Sequence, residues 1–348
     1  MIKRLFTFSI RLFSLMAGFA LLAGLVDPRV FWIPSIVSPV LSWILLVLFL
    51  LTAWLIYQRR FKTALFPLLI LVLAIPSLQK IIAWGEPDVG TSKNEVRLVT
   101  ANVINLKSVK EDHYPLNEDG IAALINRLDG DVLAFQEYGH TRYKSSYAVI
   151  QESGELPYVV QAKKGSMAVF SRYPVRHVSE RFFENSVNGY LCVDIEGPGG
   201  QIRLFDVHLQ SNRVTGLSNE LGTQGKLTDR GTWGKVKQMF GRYGRATRTR
   251  TSQAETIAAL IGESPHPVVV MGDFNDVSTS FPYRFLNTER LRDAWLVAGR
   301  GLGATFAGSL PGLRIDYALV DSSFQVKEVE VLDEGDSDHR PVAVEISY

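Results

Sequence analysis

The chain has 348 residues, 47% of them hydrophobic, which is enough for one large domain or two medium-sized ones. Its charge is uneven, because residues 1–84 carry eight Lys or Arg and one acid, whereas the remaining residues have a net charge of −5. The single cysteine, Cys192, excludes an intrachain disulfide and leaves the redox compartment undecided.

Three apolar stretches without charged residues lie in the first 84 residues: Leu12–Val26, Val30–Gln58 and Thr63–Gln79. A helix needs about 20 residues to cross the hydrocarbon core of a bilayer, and short extensions bring the first and third stretches to that length. The alternative for the first stretch is a cleaved signal peptide, because Lys3 and Arg4 precede its apolar run. Residues 1–84 are therefore predicted to form a membrane anchor of about three transmembrane helices.

The basic residues of this anchor predict its orientation. They are concentrated before the first stretch and in the loop 59–62, and the positive-inside rule places both in the cytoplasm. After three crossings of the plasma or inner membrane, the rest of the chain lies on the outer side, which is periplasmic in a two-membrane bacterium. Residues 85–94 are interpreted as a polar linker and residues 95–348 as a separate domain.

From Glu95 onward, short apolar runs separated by turn residues replace the continuous apolarity. Strands are predicted at Val96–Thr100, Asp131–Gln136, Met167–Ser171, Ile202–His208, Val268–Met271, Tyr317–Val320 and Val342–Ile346. Helices are predicted at Ile121–Leu128 and at Ser252–Ile261, where Ser252 and Glu255 form a capping box. Strands outnumber helices, which favours an α/β or α+β sandwich of packed sheets over a single doubly wound sheet.

Polar residues follow several of these predicted strands. Asn102 closes the first strand, and Glu137 comes directly after the second. A carboxylate in that position is costly unless it is paired or binds a cation, although a solvated strand end is the alternative. Asp206 and His208 are two residues apart in one strand, so both side chains leave the same face.

Two more polar clusters occur near the end of the chain. Asp273 and Asn275 are two residues apart after a buried strand and are expected to point toward one site. Asp338 and His339 precede the last strand, and Asp316, at the start of the strand before it, is available to orient the His339 imidazole. Histidine–carboxylate pairs of this kind fix the tautomer and position of a group for acid/base chemistry.

The order of these clusters along the chain is typical of one family. The segments TANV, DVLAFQE, MAVFSRYPV, DVHLQS, VVVMGDFND, RIDYALV and SDHRPV span Val96 to Ile346. With them the sequence resembles the endonuclease/exonuclease/phosphatase family, which includes pancreatic-type deoxyribonuclease. The resemblance implies an α/β fold, a four-layer sandwich of two packed mixed β-sheets flanked by helices. Ala101 departs from the pattern, because the family often has an aromatic residue there.

The resemblance also implies a metal site. In such enzymes the glutamate of the QE motif is the principal ligand of Mg²⁺, with Mn²⁺ as the alternative ion, and this glutamate corresponds to Glu137. Asn102 and Asp338 are expected close to the metal, and Asn102 also close to the substrate. Mg²⁺ retains several waters, so that few protein ligands are needed.

The catalytic groups follow from the same resemblance. Asp273 is expected to position or deprotonate the attacking water, and Asn275 to hold the phosphate or the water. His339 is expected to contact the scissile phosphate or to act as base, oriented by Asp316. His208 is expected near the phosphate or the leaving group.

Residues 211–250 form a basic segment with nine Lys or Arg and two acids. Its many glycines predict a long, mobile insertion beside the site rather than a core element. The segment is interpreted as a clamp for nucleic-acid phosphates that includes Arg242, Arg245 and Arg248. The alternatives are a patch for anionic lipid headgroups and a solvated loop.

The sequence thus predicts a membrane-anchored, metal-dependent hydrolase of phosphate esters, with nucleic acid as the expected substrate. A phospholipid or sphingomyelin phosphodiesterase and an inositol-phosphate phosphatase are the alternatives within the family. An inactive membrane-tethered binding protein is disfavoured, because Glu137, Asp273 and His339 are all present. A transporter is disfavoured as well, because the apolar stretches have no ionisable residue away from their ends. The lipid bilayer is the expected partner, and the sequence identifies no protein partner.

Overall fold

The computed structural model describes residues 2–90, 94–111, 113–139, 145–163, 166–183, 187–212, 230–308, 310–332 and 337–348. The chain forms two compact units. The first comprises Met1–Ile82, Asn212–Thr251 and Val277–Arg284, and the second comprises Ala83–Ser211, Ser252–Asp276 and Phe285–Tyr348. The sequence places the basic segment in the soluble domain, but its described residues 230–250 group with the N-terminal helices.

The first unit contains the apolar helices. They are α1 (Ile2–Ala20), α2 (Leu41–Tyr57), α3 (Phe61–Leu73) and α4 (Ile75–Ile81), with 3-10 turns at Leu21–Gly24 and Ile33–Val40. Two helical runs, Leu5–Gly24 and Ile33–Tyr57, are long and apolar enough to cross a membrane. A third results if α3 and α4, which meet at a bend of 53°, form one broken span. Pro76 in the first turn of α4 accounts for the break, because proline cannot continue the hydrogen bonding of a preceding helix.

These helices pack against one another through three small layers of buried residues. The middle layer consists of Ala17 from α1, Leu48 from α2 and Ile70 from α3. The layers on either side are also built from all three. The outer surface of the helices is apolar too, with Leu15, Phe49 and Leu69 more than half exposed. An apolar exterior around a packed interior is what a membrane-spanning bundle requires.

The second unit contains two six-stranded sheets, whose strands are numbered in chain order. From one edge to the other, sheet I consists of β12 (Leu291–Asp293), β14 (Asp316–Asp321), β11 (Val268–Asp273), β10 (Gly200–His208), β9 (Gly189–Gly197) and β8 (Val175–Phe182). Sheet II, again from edge to edge, consists of β15 (Gln325–Val331), β16 (Val342–Ser347), β2 (Glu95–Asn102), β5 (Val132–Gln136), β7 (Met167–Ser171) and β6 (Tyr158–Gln161).

Both sheets are mixed. The pairs β10–β11 and β2–β5 are parallel, and the other neighbours within the two sheets are antiparallel. Two further pairs of short strands are β1 (Ala83–Trp84) with β13 (Arg300–Gly301), and β3 (Lys107–Ser108) with β4 (Tyr114–Pro115). The predicted fold, an α/β arrangement of two packed mixed sheets with flanking helices, is confirmed.

One hydrophobic core joins the two sheets. Its residues alternate along the strands and include Leu98 and Val344 from sheet II and Leu204 and Val269 from sheet I. A second core lies on the other face of sheet II, where α5 (Glu118–Leu128) and α6 (Ser145–Gly154) cover it. The described residues also include the helices α7 (Arg230–Gly262), α8 (Phe281–Leu286) and α9 (Ala294–Ala298).

Helix α7 corrects two predictions from the sequence. It runs without interruption through Ser252, so this residue is not an N-cap, and the hydroxyl of Thr256 donates to its carbonyl. Residues 230–250 are helical, although their glycines predict a loop. Gly244 shows a reason for glycine there, because a Cβ at this position would lie 2.4 Å from the Trp32 ring. The part of the segment at 213–229 lies outside the described residues.

The segment interpreted as a linker is ordered up to Gly90. The amide of Gly85 donates to the carbonyl of Gly299, and the carboxylate of Asp88 accepts from the Arg292 guanidinium at 2.6 Å and from the Val326 amide at 2.9 Å. These contacts attach the chain to the second unit from Ala83 onward. Residues 91–93 lie outside the described part of the chain.

A buried polar bridge connects the two sheets. The Gln136 amide, from β5, donates to the Asp206 carboxyl of β10 at 2.5 Å and to the Thr100 hydroxyl of β2 at 2.9 Å. All three residues are almost fully buried. Burial raises the pKa of Asp206 well above its usual range, although the hydrogen bond from Gln136 opposes this shift. The folded protein therefore favours the protonated, neutral form of Asp206.

This bridge predicts opposite effects of two substitutions at Asp206. Folding raises the pKa of Asp206, so the protonated carboxyl stabilises the fold fully at pH values below its pKa in the unfolded chain. This stabilisation is lost as the pH rises from that pKa through the higher pKa of the folded protein. Asp206→Asn keeps an acceptor for Gln136 without titrating, so we expect stability at neutral pH to be retained or raised. Asp206→Ala removes the acceptor on β10, so that the Gln136 amide keeps only its partners in sheet II, and should lower the free energy of unfolding by about 1–3 kcal/mol. Denaturant unfolding in detergent measures both; equal stability of the two variants would contradict the bridge.

Candidate active site

The strand register brings the polar clusters of the sequence together. In sheet I, His208 at the end of β10 lies beside Asp273 at the end of β11, and Asp273 lies opposite Asp316 at the start of β14. In sheet II, Asn102 at the end of β2 lies beside Gln136, and Glu137 follows. These strand ends carry the side chains of the candidate site.

Asn102 connects two of the carboxylates. Its side-chain amide donates to Asp273 Oδ2 at 3.2 Å and to Glu137 Oε1 at 3.3 Å. Asn275 holds Asp273 from the other side, with its backbone amide 2.7 Å from Oδ1 and its side-chain amide 3.0 Å from Oδ2. Asn275 and Glu137 both have positive φ, of 53° and 50°, so the chain turns sharply after each strand. These hydrogen bonds fix the position of the Asp273 carboxylate.

His339 and Asp316 form a buried pair. His339 Nδ1 lies 3.0 Å from both carboxylate oxygens of Asp316, and the backbone amide of Asp316 donates to the Thr305 hydroxyl at 3.1 Å. His339 Nε2 is 3.8 Å from Asp273 Oδ2. Burial alone would lower the pKa of His339, but the carboxylates of Asp316 and Asp273 outweigh it and raise this pKa to about 10. His339 is therefore protonated at neutral pH.

Asp273, unlike His339, has lost its proton at neutral pH. Burial raises its pKa, although the positive charge of His339 opposes the shift, and the resulting value is about 6. A carboxylate with this pKa is ionised at neutral pH but accepts a proton more readily than an ordinary aspartate. Asp273 therefore has the properties of a general base.

His208 lies next to both carboxylates without a hydrogen bond to either. Its Nε2 is 3.7 Å from Glu137 Oε1 and from Asp273 Oδ2, and neither ring nitrogen has a hydrogen-bond partner among the described residues. Burial lowers the pKa of His208, although the charge of Asp273 opposes this. The imidazole is thus neutral and can donate from one ring nitrogen to a bound ligand.

The oxygen donors of the site fit a hard divalent cation. The carboxylates of Glu137 and Asp273 share the Asn102 amide, and the Glu137 side chain is 34% exposed, so that it is accessible from solvent. Asp273, Asp316 and His339 also lie close enough to ligate one ion, with donor atoms within 4.8 Å. Both oxygens of Asp316, however, already contact His339. Glu137 and Asn102 are therefore the better candidates, because Mg²⁺ prefers oxygen ligands.

For two predicted groups of residues the structure gives other contacts than those expected. The backbone carbonyl of Asp338 accepts from Ala307, and its side-chain charge contributes to the raised pKa of His339. Arg242, Arg245 and Arg248 belong to the first unit, whereas all the carboxylates and histidines above belong to the second. Arg248 lies over the Trp32 ring and donates to the Pro28 carbonyl at 3.3 Å.

Sequence reasoning missed several residues that hold the site in place. The amides of Asn188 and Asn275 both donate to the carbonyl of Leu209, the residue after His208. Arg314 binds both oxygens of Asp293 at 2.8 Å in a buried ion pair next to β14. Asn188 lies in no local pattern that indicates such a role, and the segment RIDYALV, which begins with Arg314, predicts a role only for Asp316. A pocket at the site is lined by residues that include Asn102, Lys107 and His339.

Comparison with known proteins agrees with this geometry. The model of the "Endonuclease/Exonuclease/phosphatase family" matches residues 104–339. No curated protein sequence matches the chain.

Solved structures share the fold at low sequence identity. A humanized D. rerio TDP2 with 14 mutations has 15% identity and a TM-score of 0.50, and the match covers 74% of this chain and 100% of that one. SmcL has 16% identity and a TM-score of 0.50, with the same coverage. An endonuclease/exonuclease/phosphatase from Beutenbergia cavernae has 17% identity and a TM-score of 0.46, covering 73% of this chain and 72% of its own.

The matched range contains Glu137, His208, Asp273, Asp316 and His339, and the structure brings these five residues together at the edge of two packed sheets. The chain belongs to the endonuclease/exonuclease/phosphatase family of phosphoric ester hydrolases.

Proposed function

We propose that this protein is a membrane-anchored, divalent-metal-dependent phosphodiesterase. The observation that carries the proposal is the contact of Asn102 with both Glu137 and Asp273, beside the buried His339–Asp316 pair. A phosphodiester needs a cation and hydrogen-bond donors for its non-bridging oxygens, and a base for the attacking water. The side chains of this site supply the base and the donors, and they can hold the cation.

The residues have different roles in this mechanism. Asp273, held by Asn275, accepts the proton of the attacking water. Protonated His339 donates from Nε2 to a phosphate oxygen, while Asp316 keeps its ring oriented. Neutral His208 donates toward the leaving group. Glu137 and Asn102, with Asp338, would hold Mg²⁺, and the bound ion would neutralise negative charge on the phosphate.

The substrate class depends on the basic segment and on the anchor. The arginine-rich composition of the segment favours nucleic acid, and the exposed side chain of Arg245 supports this. Arg248 and Arg250, however, are used within the protein; Arg250 is fully buried and binds Asn212 and Thr247. Phospholipid headgroup esters are the second candidate, because the apolar helices would hold the enzyme at a bilayer.

The metal and catalytic assignments predict specific losses. Asp273→Ala and His339→Ala should each lower kcat by about 10²–10⁴, because positioned acid/base groups contribute that much. Chelation should stop hydrolysis, and Glu137→Gln should raise the Mg²⁺ concentration needed for half-maximal rate. Bis-(p-nitrophenyl) phosphate, polynucleotides and phospholipids serve as substrates, and the exposed Glu152→Gln is the control. Full activity of the Asp273→Ala, His339→Ala double variant would refute the assignment.

The pH profile tests the roles of Asp273 and His339. The rate should rise as Asp273 loses its proton near pH 6 and fall as His339 loses its proton near pH 10. Asp316→Asn removes a carboxylate that raises the His339 pKa, so the alkaline limb of kcat/KM should move to lower pH. Glu152→Gln should leave that limb unchanged. If the alkaline limb stays in place in Asp316→Asn, His339 is not the titrating acid.

The anchor is proposed to cross the membrane three times, with the N-terminus inside. The contacts of residues 277–284 within the first unit support this. The Ser278 hydroxyl donates to the Lys80 carbonyl at the end of the third span, and Arg284 donates to the Gly24 carbonyl at the end of the first. Since one short segment contacts both ends, the first and third spans end on the same side.

This topology predicts the behaviour of C-terminal fusions. The second unit follows the third span, so alkaline phosphatase fused after Tyr348 should be active, whereas a reporter that fluoresces only in the cytoplasm should be dark. The same fusions made after Arg60, in the predicted cytoplasmic loop, should show the reverse behaviour. An inactive phosphatase and a bright reporter at the C-terminus would indicate an even number of crossings.

A further inference from the structure

The basic half of α7 packs against the loop between the first two apolar spans. Arg230–Thr251 belongs to the same compact unit as these spans. Gly244 lies against the Trp32 ring, and the Arg248 guanidinium stacks over that ring and donates to the Pro28 carbonyl. Residues 25–32 connect the helical runs Leu5–Gly24 and Ile33–Tyr57, so in a membrane-spanning bundle they lie at the bilayer surface. This half of α7 is therefore placed at that surface.

The same helix face carries exposed aromatic side chains. Trp233, Lys237, Phe240, Gly244 and Arg248 follow one another at spacings of three or four residues, and therefore form one stripe along the helix. The C-terminal end of this stripe contacts the Trp32 loop. At its N-terminal end Trp233 is 57% exposed and Phe240 is 37% exposed. Phe240 lies about 6 Å and Trp233 about 16 Å along the helix axis from Gly244.

The charge of this half of the helix is entirely positive. It contains no acid between Arg230 and Thr251, and Lys237, Arg245 and Arg248 are exposed. Tryptophan and phenylalanine beside lysine and arginine are the composition of helices that lie in the membrane interface. Aromatic rings dip into the headgroup region there, while the cations attract anionic lipids.

We infer that Arg230–Thr251 is a membrane-surface helix that binds anionic phospholipid headgroups through Trp233, Lys237 and Phe240. This inference rests on the membrane anchoring included in the proposed function. A polynucleotide is the less suitable ligand of this face, because the stripe continues directly into the loop between the apolar spans and its arginine is stacked on Trp32. The bound lipid surface would hold α7 parallel to the bilayer.

A single-site fluorescent label tests the inference in the full chain. Cys192 is buried, so a cysteine introduced by Phe240→Cys can be labelled selectively with an environment-sensitive dye. Gln238→Cys is the matched control, because residue 238 is exposed and lies on the opposite side of the same helix. Both proteins are reconstituted into vesicles of phosphatidylcholine, with or without phosphatidylglycerol, that carry nitroxide-labelled lipid.

With phosphatidylglycerol present, the label at 240 should shift its emission to the blue and be quenched by the nitroxide lipid, whereas the label at 238 should remain in water. High salt should reduce the quenching at 240. Replacing Lys237 by Gln should weaken the lipid-bound state by about fivefold, since each cation near an anionic surface contributes about that factor. Equal quenching at 238 and 240, or no quenching at 240 with the anionic lipid, would overturn the inference.

Two further measurements separate this inference from the proposed function. Resistance of the unlabelled chain to alkaline carbonate extraction reports whether the apolar helices are inserted, and failure there would overturn the anchor and the inference together. Insertion with an unquenched label at 240 would overturn the inference alone. If an oligonucleotide added in detergent shifts the emission at 240 while anionic lipid does not, the stripe binds polynucleotide instead.

Discussion

Each sheet is built around one pair of parallel strands, and the two pairs determine where the reactive side chains lie. Parallel strands end at the same edge of a sheet, so His208 lies beside Asp273, and Asn102 lies beside Gln136 and the following Glu137. The antiparallel neighbour β14 begins at that edge and places Asp316 opposite Asp273. The site thus depends on strand register within each sheet and on the packing of the two sheets, which brings Asn102 of sheet II into contact with Asp273 of sheet I.

The electrostatics of the site follow from this packing. Asp273, Asp316 and His339 are all buried, and each charge alone would be costly in that environment. The cost of burying these charges is reduced, because the positive His339 imidazolium lies between the two negative carboxylates. With Glu137 also close by, the cluster retains excess negative charge, which makes it suited to a cation and, through that cation, to a phosphate. Burial raises the pKa of Asp273, the neighbouring carboxylates raise the pKa of His339, and the surplus of carboxylates makes the site suitable for a metal ion.

The first unit combines residues that are distant in the sequence. The apolar helices come first in the chain, yet residues 230–251 and 277–284 from the C-terminal half belong to the same compact unit. Helix α7 contributes residues to both units, and the chain after Ala83 is fastened to the second unit through Gly85 and Asp88. Anchor and hydrolase are therefore interleaved along the chain rather than arranged one after the other.

The sequence by itself determined the elements with a strong local pattern: the apolar helices, the strands such as β2, β7 and β16, and the pairs two residues apart that share a face. Elements with a weak local pattern were predicted wrongly or not at all. Strand β8 is an edge strand, and its charged residues hide the alternation that would predict it. The glycines of residues 230–250 predict a loop, but the segment is helical. One of these glycines, Gly244, is explained by its contact with Trp32, which the sequence does not reveal. Only the tertiary structure decided that Asn102 joins Glu137 to Asp273, that burial raises the pKa of Asp273, and that neighbouring carboxylates raise the pKa of His339. Those properties arise between residues far apart in the chain, where no local pattern can encode a distance or an exclusion of water.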